Sequence, residues 1–224
     1  MTDKKAPKPR KPASITEAIR DLREKISTQQ LIPGSRVLEQ EVAKSYKIPR
    51  AKAREVLAAL EDRGLIEREP NKGAIVSPVD METTYRLYEV REVLDGLTVR
   101  LAAERSRPED WADIQELFGD LFESSLRAGD LDTHIGIIEK FRNRIRIVAD
   151  SNVLSDMLDR VYDRSRVTMR RVALLPGRAE LGMKQYRSVL EAIVRGDGEE
   201  AERRVRELNR SARDYITRFK NYVL

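Results

Sequence analysis

Arg50 and Arg54 stand four residues apart, one helical turn, and so share a face of any helix that contains them. A guanidinium placed there can donate to O6 and N7 of a guanine together, the commonest base-specific contact to duplex DNA. Little else in the 224 residues has the makings of reaction chemistry. Cysteine is absent, which removes disulfides, thiolate metal sites and thiol nucleophiles. The single histidine, His134, cannot build a three-histidine metal site and leaves few routes to imidazole acid–base catalysis. No paired-carboxylate, nucleophile–base or phosphate-loop constellation falls at usable spacing, so an enzyme is not expected.

The charge points the same way as the arginines. Formal net charge is +5, yet residues 1–79 carry +6 and the remainder −1. A basic segment joined to a near-neutral one suits a polyanion-binding module attached to another domain. An ordinary domain with a basic tail would give the same count, since Lys4, Lys5, Lys8, Arg10 and Lys11 against Asp3 make residues 1–13 alone +4. That lysine- and proline-rich stretch has almost no apolar content, so disorder is expected there. It does not read as a signal peptide, and no apolar run approaches the roughly 20 residues of a membrane span, which makes the cytoplasm the expected compartment.

To present Arg50 and Arg54, the chain needs a short, well-bounded helix. Ser14-Ile15-Thr16-Glu17 is a capping box, and Ile15, Ile19, Leu22 and Ile26 follow on one face. Pro33-Gly34 turns the chain into a short strand at Arg36-Val37-Leu38. A second helix over Glu39–Tyr46 buries Val42 and Ala43. Pro49 then sits in the first turn of a third helix, which ends at Gly64. Leu65–Arg68 and Ala74–Ser77 form two strands around a hairpin tip at Glu69-Pro70-Asn71-Lys72-Gly73. This order is that of a winged helix-turn-helix, whose third helix enters the major groove while its wing reaches the backbone or minor groove. After Asp80, a probable N-cap by type, no strand is expected. One long helix carries Leu87, Val90, Leu94, Leu97 and Leu101. Others begin at Pro108 (through Trp111, Ile114, Phe118 and Leu121), after Gly129-Asp130, after Asp150-Ser151-Asn152, after Pro176-Gly177 and after Gly196-Asp197-Gly198. Short turns between them imply an antiparallel bundle.

These residues together resemble the GntR family of bacterial transcription regulators, in particular the FadR subfamily with its C-terminal FCD domain. The resemblance spans about residues 14–222. It rests on Pro33-Gly34-x-Arg36-x-Leu38-Glu39-x-x-Val42-Ala43, on Ile48-x-Arg50-x-x-x-Arg54-Glu55-x-Leu57, on Leu60-Glu61-x-x-Gly64-Leu65-Ile66 and on Lys72-Gly73-Ala74-x-Val76. In the second half it rests on Leu87-Tyr88-Glu89-Val90-Arg91-Glu92-x-Leu94-Asp95-Gly96 and Arg187-x-x-x-Glu191-Ala192-Ile193-x-x-Gly196-Asp197. Three residues depart from the usual recognition helix: Pro49 replaces a serine, Ala51 a threonine and Lys52 a proline. Lost hydroxyls remove phosphate contacts that Lys52 can replace. The DNA-binding residues this implies are Arg50, Ala51, Lys52 and Arg54, with Arg36 and Lys44 as secondary candidates and Lys72 and Gly73 at the wing tip.

Many FCD domains hold a divalent metal, and the resemblance implies where its ligands would lie. Phe141 fits the phenylalanine of the family's Asp-x-x-Phe-His pattern, which puts the ligand positions at Ile138, Arg142, Tyr186 and near Leu208. All four are replaced, so no metal is expected. His134 reads as a surface or loop-proximal histidine. An arginine where a cation usually sits can instead bind a carboxylate or phosphate. Arg142, Tyr186 and Arg91, in a pocket with Ile138 and Leu208, are therefore the expected site of a small anionic effector such as a carboxylate. Alternatively Arg142 pairs with an internal acid such as Glu139 or Asp95, or side chains fill the pocket.

The expected protein is mostly α: a basic tail (1–13), a winged helix-turn-helix (14–79) and an antiparallel all-α FCD-type bundle (80–224). It would bind an inverted-repeat operator on double-stranded DNA as a homodimer, more often repressing than activating. The alternative is a constitutive regulator whose bundle serves dimerisation alone.

Overall fold

Ser14 closes the first helix as its sequence dictates. In the computed structural model, which describes residues 13–69 and 73–223, Ser14 Oγ accepts from the Glu17 amide at 3.1 Å and Glu17 Oε2 accepts from the Ser14 amide at 2.7 Å. Helix α1 (Ile15–Ser27) buries Ala18, Leu22 and Ile26, with Ile15 and Ile19 half-buried beside them. Helix α2 (Glu39–Tyr46) ends on Lys47 in the left-handed region, φ 53°. Helix α3 (Arg50–Asp62) follows, with Pro49 at its N-cap, one position before the first-turn place expected of it. The missing proline amide is harmless at either position. Gly64, φ 68°, stops α3, its amide donating to the Glu61 carbonyl.

Strands β1 (Arg36–Val37), β2 (Ile66–Glu69) and β3 (Gly73–Val76) form an antiparallel sheet in the order β1-β3-β2. Arg36 pairs with Ile75, and Glu69 with Gly73, so β2 and β3 form the expected hairpin. Its tip, with Lys72, lies outside the described residues, as does the basic tail up to residue 12. This unit ends at Pro78 and a second begins at Val79.

Helix α4 (Met81–Arg105) opens the second unit, with Asp80 Oδ2 accepting from the Thr83 amide at 2.7 Å. Its buried face is only in part the expected leucine stripe: Leu87 is buried and Leu101 packs against the core. Thr84, Tyr88, Arg91, Asp95, Thr98, Val99 and Ala102 point inward, while Val90, Val93 and Leu97 are 46%, 52% and 42% exposed. The leucine spacing marks a helical face correctly. The rest of the inward face is a neighbouring one, whose Asp95 is satisfied by other helices.

The helix expected from Pro108 through Leu121 is instead a 3-10 turn (Pro108–Trp111), α5 (Ala112–Leu117) and α6 (Asp120–Arg127). The chain bends at Gly119, where a Cβ would lie 3.1 Å from the Glu116 carbonyl oxygen. The bend lets Phe118 and Phe122 both bury, with Phe118 against Phe141 at 5.0 Å between centroids and Phe122 4.7 Å from Phe118. Helices α7 (Leu131–Ala149), α8 (Asn152–Ala173), α9 (Arg178–Val194) and α10 (Gly198–Arg218) complete the bundle, followed by the short α11 (Lys220–Val223). Asp130, Ser151 and Asp197 cap α7, α8 and α10. Helix α4 packs along α10 and against α7, α8 and α9, around a core containing Trp111, Phe118, Phe122, Phe141 and Ile193. Among the described residues no helix is long and apolar enough to cross a membrane.

Candidate nucleic-acid interface and buried arginine site

Helix α3 divides sharply by face. Ala53, Val56, Leu57 and Leu60 are buried, while Arg50, Ala51, Lys52 and Arg54 are exposed. Among the described residues Arg50 and Lys52 form no hydrogen bond or ion pair. Arg54 is engaged: its Nε and Nη2 donate to the two carboxylate oxygens of Glu39 in the first turn of α2, at 3.1 and 3.4 Å. That fork holds the Glu39 carboxyl below the usual carboxylate range. Arg36 on β1 and Lys44 in the last turn of α2 are exposed as well. Gly73 opens β3 at φ 84°, with Leu38 Cδ2 at 3.7 Å from where a Cβ would stand, so the hairpin's return needs a left-handed residue there.

In the second unit, Arg91 is 1% exposed, and its Nε and Nη1 have no hydrogen-bond partner among the described residues. Its guanidinium lies over the Tyr88 ring at 4.6 Å and the Tyr162 ring at 5.2 Å. Burial opposes its charge, but Tyr88, Asp95, Tyr162 and Tyr186 together outweigh that and hold it protonated. Arg142 is partly buried, lies over the Tyr162 and Tyr186 rings at 5.4 and 5.5 Å, and donates to the Tyr186 hydroxyl. It forms no ion pair with a carboxylate among the described residues. Glu139, an expected partner, faces Arg166 at 3.7 Å instead, and Asp95 faces Arg91.

Arg91, Asp95, Arg142, Tyr162, Tyr186 and Leu208 border one inner cavity of about 20 Å³. Ile138 is not among its lining residues; it packs half-buried against the apolar core. An outer cleft of about 90 Å³ shares Arg142, Arg146 and Tyr162 with the cavity and adds Arg166 and Glu139. Guanidinium groups thus line both compartments.

A larger cavity of about 250 Å³ lies by Asp130, His134 and Glu180. Asp130 is committed to capping α7 and the Ser125 hydroxyl to the Phe122 carbonyl, while His134 Nδ1 has no hydrogen-bond partner among the described residues. His134 is not the surface residue expected from its place near a turn. It is 2% exposed and stacked on Phe122 at 4.5 Å, because the first turn of α7 docks on α6.

The FCD family's divalent metal does not fit the arginine site. Three guanidinium groups, Arg91, Arg142 and Arg146, and one carboxylate line the inner cavity among the described residues, and like charge would repel a cation. Among the described residues no three of His, Cys, Asp and Glu gather where they could hold an ion.

Three residues at or beside this site are not assigned these roles by sequence: Asp95 as the Arg91 partner, and Tyr162 and Asn209 as buried donors to Asp95. An (i, i+4) Arg–Asp pair on α4 was the available signal for the first. Nothing local marks the other two.

Comparison with known proteins places these observations. The family model described as bacterial regulatory proteins, gntR family, matches residues 15–76, and that of the FCD domain matches residues 86–211. The HTH-type transcriptional regulator YdhC of Bacillus subtilis is 24% identical over 176 residues, 77% of each chain. The HTH-type transcriptional regulator McbR of Escherichia coli is 24% identical over 181 residues, 80% of this chain and 81% of McbR. The solved E. coli McbR structure superposes with a TM-score of 0.78 at 22% identity, over 94% of this chain and 99% of that one. A GntR-type putative regulator from Rhodococcus gives 0.74 at 19% identity, over 92% and 98%.

Proposed function

Because the chain belongs to the GntR family of transcription regulators, with an FCD effector-binding domain behind its DNA-binding domain, we propose that it binds an inverted-repeat operator as a homodimer and answers to a small anionic metabolite held by Arg91 and Arg142. The protein is a regulator and not an enzyme. The observation that carries the effector reading is the buried guanidinium of Arg91. A buried charged donor left without a hydrogen-bond partner is costly, and an acceptor that supplies the missing bonds recovers that cost.

In this reading Arg50 and Arg54 contact base edges, Lys52, Lys44 and Arg36 contact phosphates, and the wing tip around Lys72 and Gly73 approaches the backbone or minor groove. Two copies are needed because a palindromic operator presents two half-sites. The exposed Val90, Val93 and Leu97 on α4 support pairing through the second unit. The outcome at the promoter is repression. The anion acts only if it binds one state of the dimer better than the other. Arg91 sits on α4, the helix that follows the DNA-binding unit in the chain, so ligand contacts act directly on that helix.

The test is operator DNA selected from a random library, with binding then measured against a panel of small carboxylates and phosphates at constant ionic strength. Affinity shifted at least fivefold by one of them, and unshifted in Arg142→Ala, supports the reading. No shift with any of them, together with no change in melting temperature, would sink it.

A second reading is a constitutive regulator whose bundle only dimerises. The size of the inner cavity favours it: about 20 Å³ has room for one water molecule. Operator binding indifferent to every anion, with dimerisation intact, is its signature.

A further inference from the structure

Asp95 follows Arg91 by one turn of α4, the spacing at which a carboxylate and a guanidinium ordinarily close into a hydrogen-bonded pair. Here they do not close. Arg91 Nε and Asp95 Oδ2 stand 3.6 Å apart, beyond hydrogen-bond reach. Both carboxylate oxygens are taken by other donors. The Tyr162 hydroxyl donates to Oδ1 at 2.5 Å and Asn209 Nδ2 donates to Oδ2 at 3.0 Å. Tyr162 belongs to α8 and Asn209 to α10, so the carboxylate is tethered from two neighbouring helices. Burial and then Asp95 push the Tyr162 hydroxyl far above the ordinary tyrosine range, which keeps it a donor.

We infer that Tyr162 and Asn209 are positioning residues: by anchoring Asp95 short of Arg91, they keep Arg91 Nε and Nη1 open for a single carboxylate or equally small oxyanion head group of the effector. This rests on the anion reading given above and adds to it the receiving atoms, the ligand's head group and the two residues that set its affinity. The inner cavity at Arg91 is about 20 Å³, so binding the head group requires its lining side chains to shift. The rest of the ligand extends past Arg142 into the outer cleft, where Arg146 and Arg166 stand. Asp95 is the one carboxylate lining the inner cavity, and so the one internal competitor for the same guanidinium. Releasing it from its tethers lets it occupy Arg91 and exclude the ligand.

The experiment uses the full chain and two probes, formate and acetate. Affinity is read from the rise of melting temperature with probe concentration, with ionic strength held by a bulky sulfonate salt. Wild type gains stability with formate. Tyr162→Phe, which keeps the ring, and Asn209→Leu each weaken formate binding about tenfold, the loss expected if the freed carboxylate occupies Arg91 in nine molecules of ten. Asp95→Asn binds formate more tightly than wild type. In an Asp95→Asn background neither Tyr162→Phe nor Asn209→Leu weakens binding further, which a merely structural role would not produce. Should Asn209→Leu fail to fold, the Tyr162→Phe arm carries the same logic. A wild type indifferent to formate and acetate overturns the anion reading itself. A wild type that responds, with Tyr162→Phe unchanged or with its loss persisting beside Asp95→Asn, overturns the positioning role and leaves the anion reading standing.

Discussion

Replacing Arg91 with methionine tests whether the buried pair on α4 is electrostatically real. Methionine fills similar length without charge, so the change removes the guanidinium and leaves the Asp95 carboxylate in place. At 3.6 Å and an effective dielectric of about 20, the lost attraction is about 5 kcal/mol. Breaking a buried pair from one side typically costs about 3–5 kcal/mol, which agrees. For a chain of this size each kcal/mol moves the melting temperature by about 2–4 °C, so Arg91→Met should melt roughly 6–20 °C below wild type. Asp95 keeps its bonds from Tyr162 and Asn209, so the lower part of that range is the firmer expectation. The double variant Arg91→Met/Asp95→Asn removes both charges and should recover more than half of the loss, since an uncharged replacement of a buried pair is often neutral. Circular dichroism at 222 nm against temperature, in low salt, gives all four corners of the cycle. A melting temperature for Arg91→Met within 2 °C of wild type would refute the reasoning, because Asp95 would then need no compensation. A double variant no better than the single would refute it equally, by showing that the guanidinium contributes packing alone.

Three further outcomes are expected. On selected operator DNA, Arg50→Ala or Arg54→Ala should lose about 5- to 150-fold in affinity and relax preference at one base pair, whereas Lys52→Ala should weaken all sequences alike and lower the salt slope by about 1; parallel losses on specific and random DNA for the arginine variants would contradict base contact. Burial holds the His134 imidazole below its ordinary pKa, so the unfolded chain takes up the proton first as pH falls; stability should be full above about pH 6.5 and decline below it, and His134→Phe should flatten that decline in melting curves taken from pH 7.5 to 5. If the protein is the proposed dimer, Val93→Glu, on the exposed stripe of α4, should lower its mass to that of a monomer in light scattering with its helix content kept; a dimeric mass left unaltered would exclude that face from the interface.

Elements fixed by local chemistry were legible in the residues. The Ser14 capping box, the glycine stop at Gly64 and the β2–β3 hairpin each depend on neighbours a few positions away, although Glu69 and Gly73, expected in the tip, are the last paired residues of the strands. What escaped depends on distant partners. Leucine spacing on α4 suggested one buried stripe, but burial is decided by what packs there, and Asp95 faces inward because Tyr162, 67 residues on, and Asn209, 114 residues on, satisfy it. The bend at Gly119 likewise serves an aromatic cluster closed by Phe141. His134 looked peripheral because a turn precedes it, yet burial there follows from the stacking of its ring on α6. Of the family pattern's positions, Arg142, Tyr186 and Leu208 line one cavity together with Arg91, while Ile138 packs against the apolar core.

The fork between Arg54 and Glu39 sets a threshold on recognition. A guanidinium already satisfied by a carboxylate is not free to take whichever acceptor drifts past. To read a base edge it must first give up two bonds, and only an acceptor pair of matching geometry returns both. A phosphate oxygen offers a poorer exchange, and the Glu39 charge repels it. If Arg54 contacts a base as proposed, random sequence leaves it with Glu39 more often than the right site does, a small bias because the pair is exposed. On the proposed reading, part of the specificity of this helix is already present in the DNA-free protein.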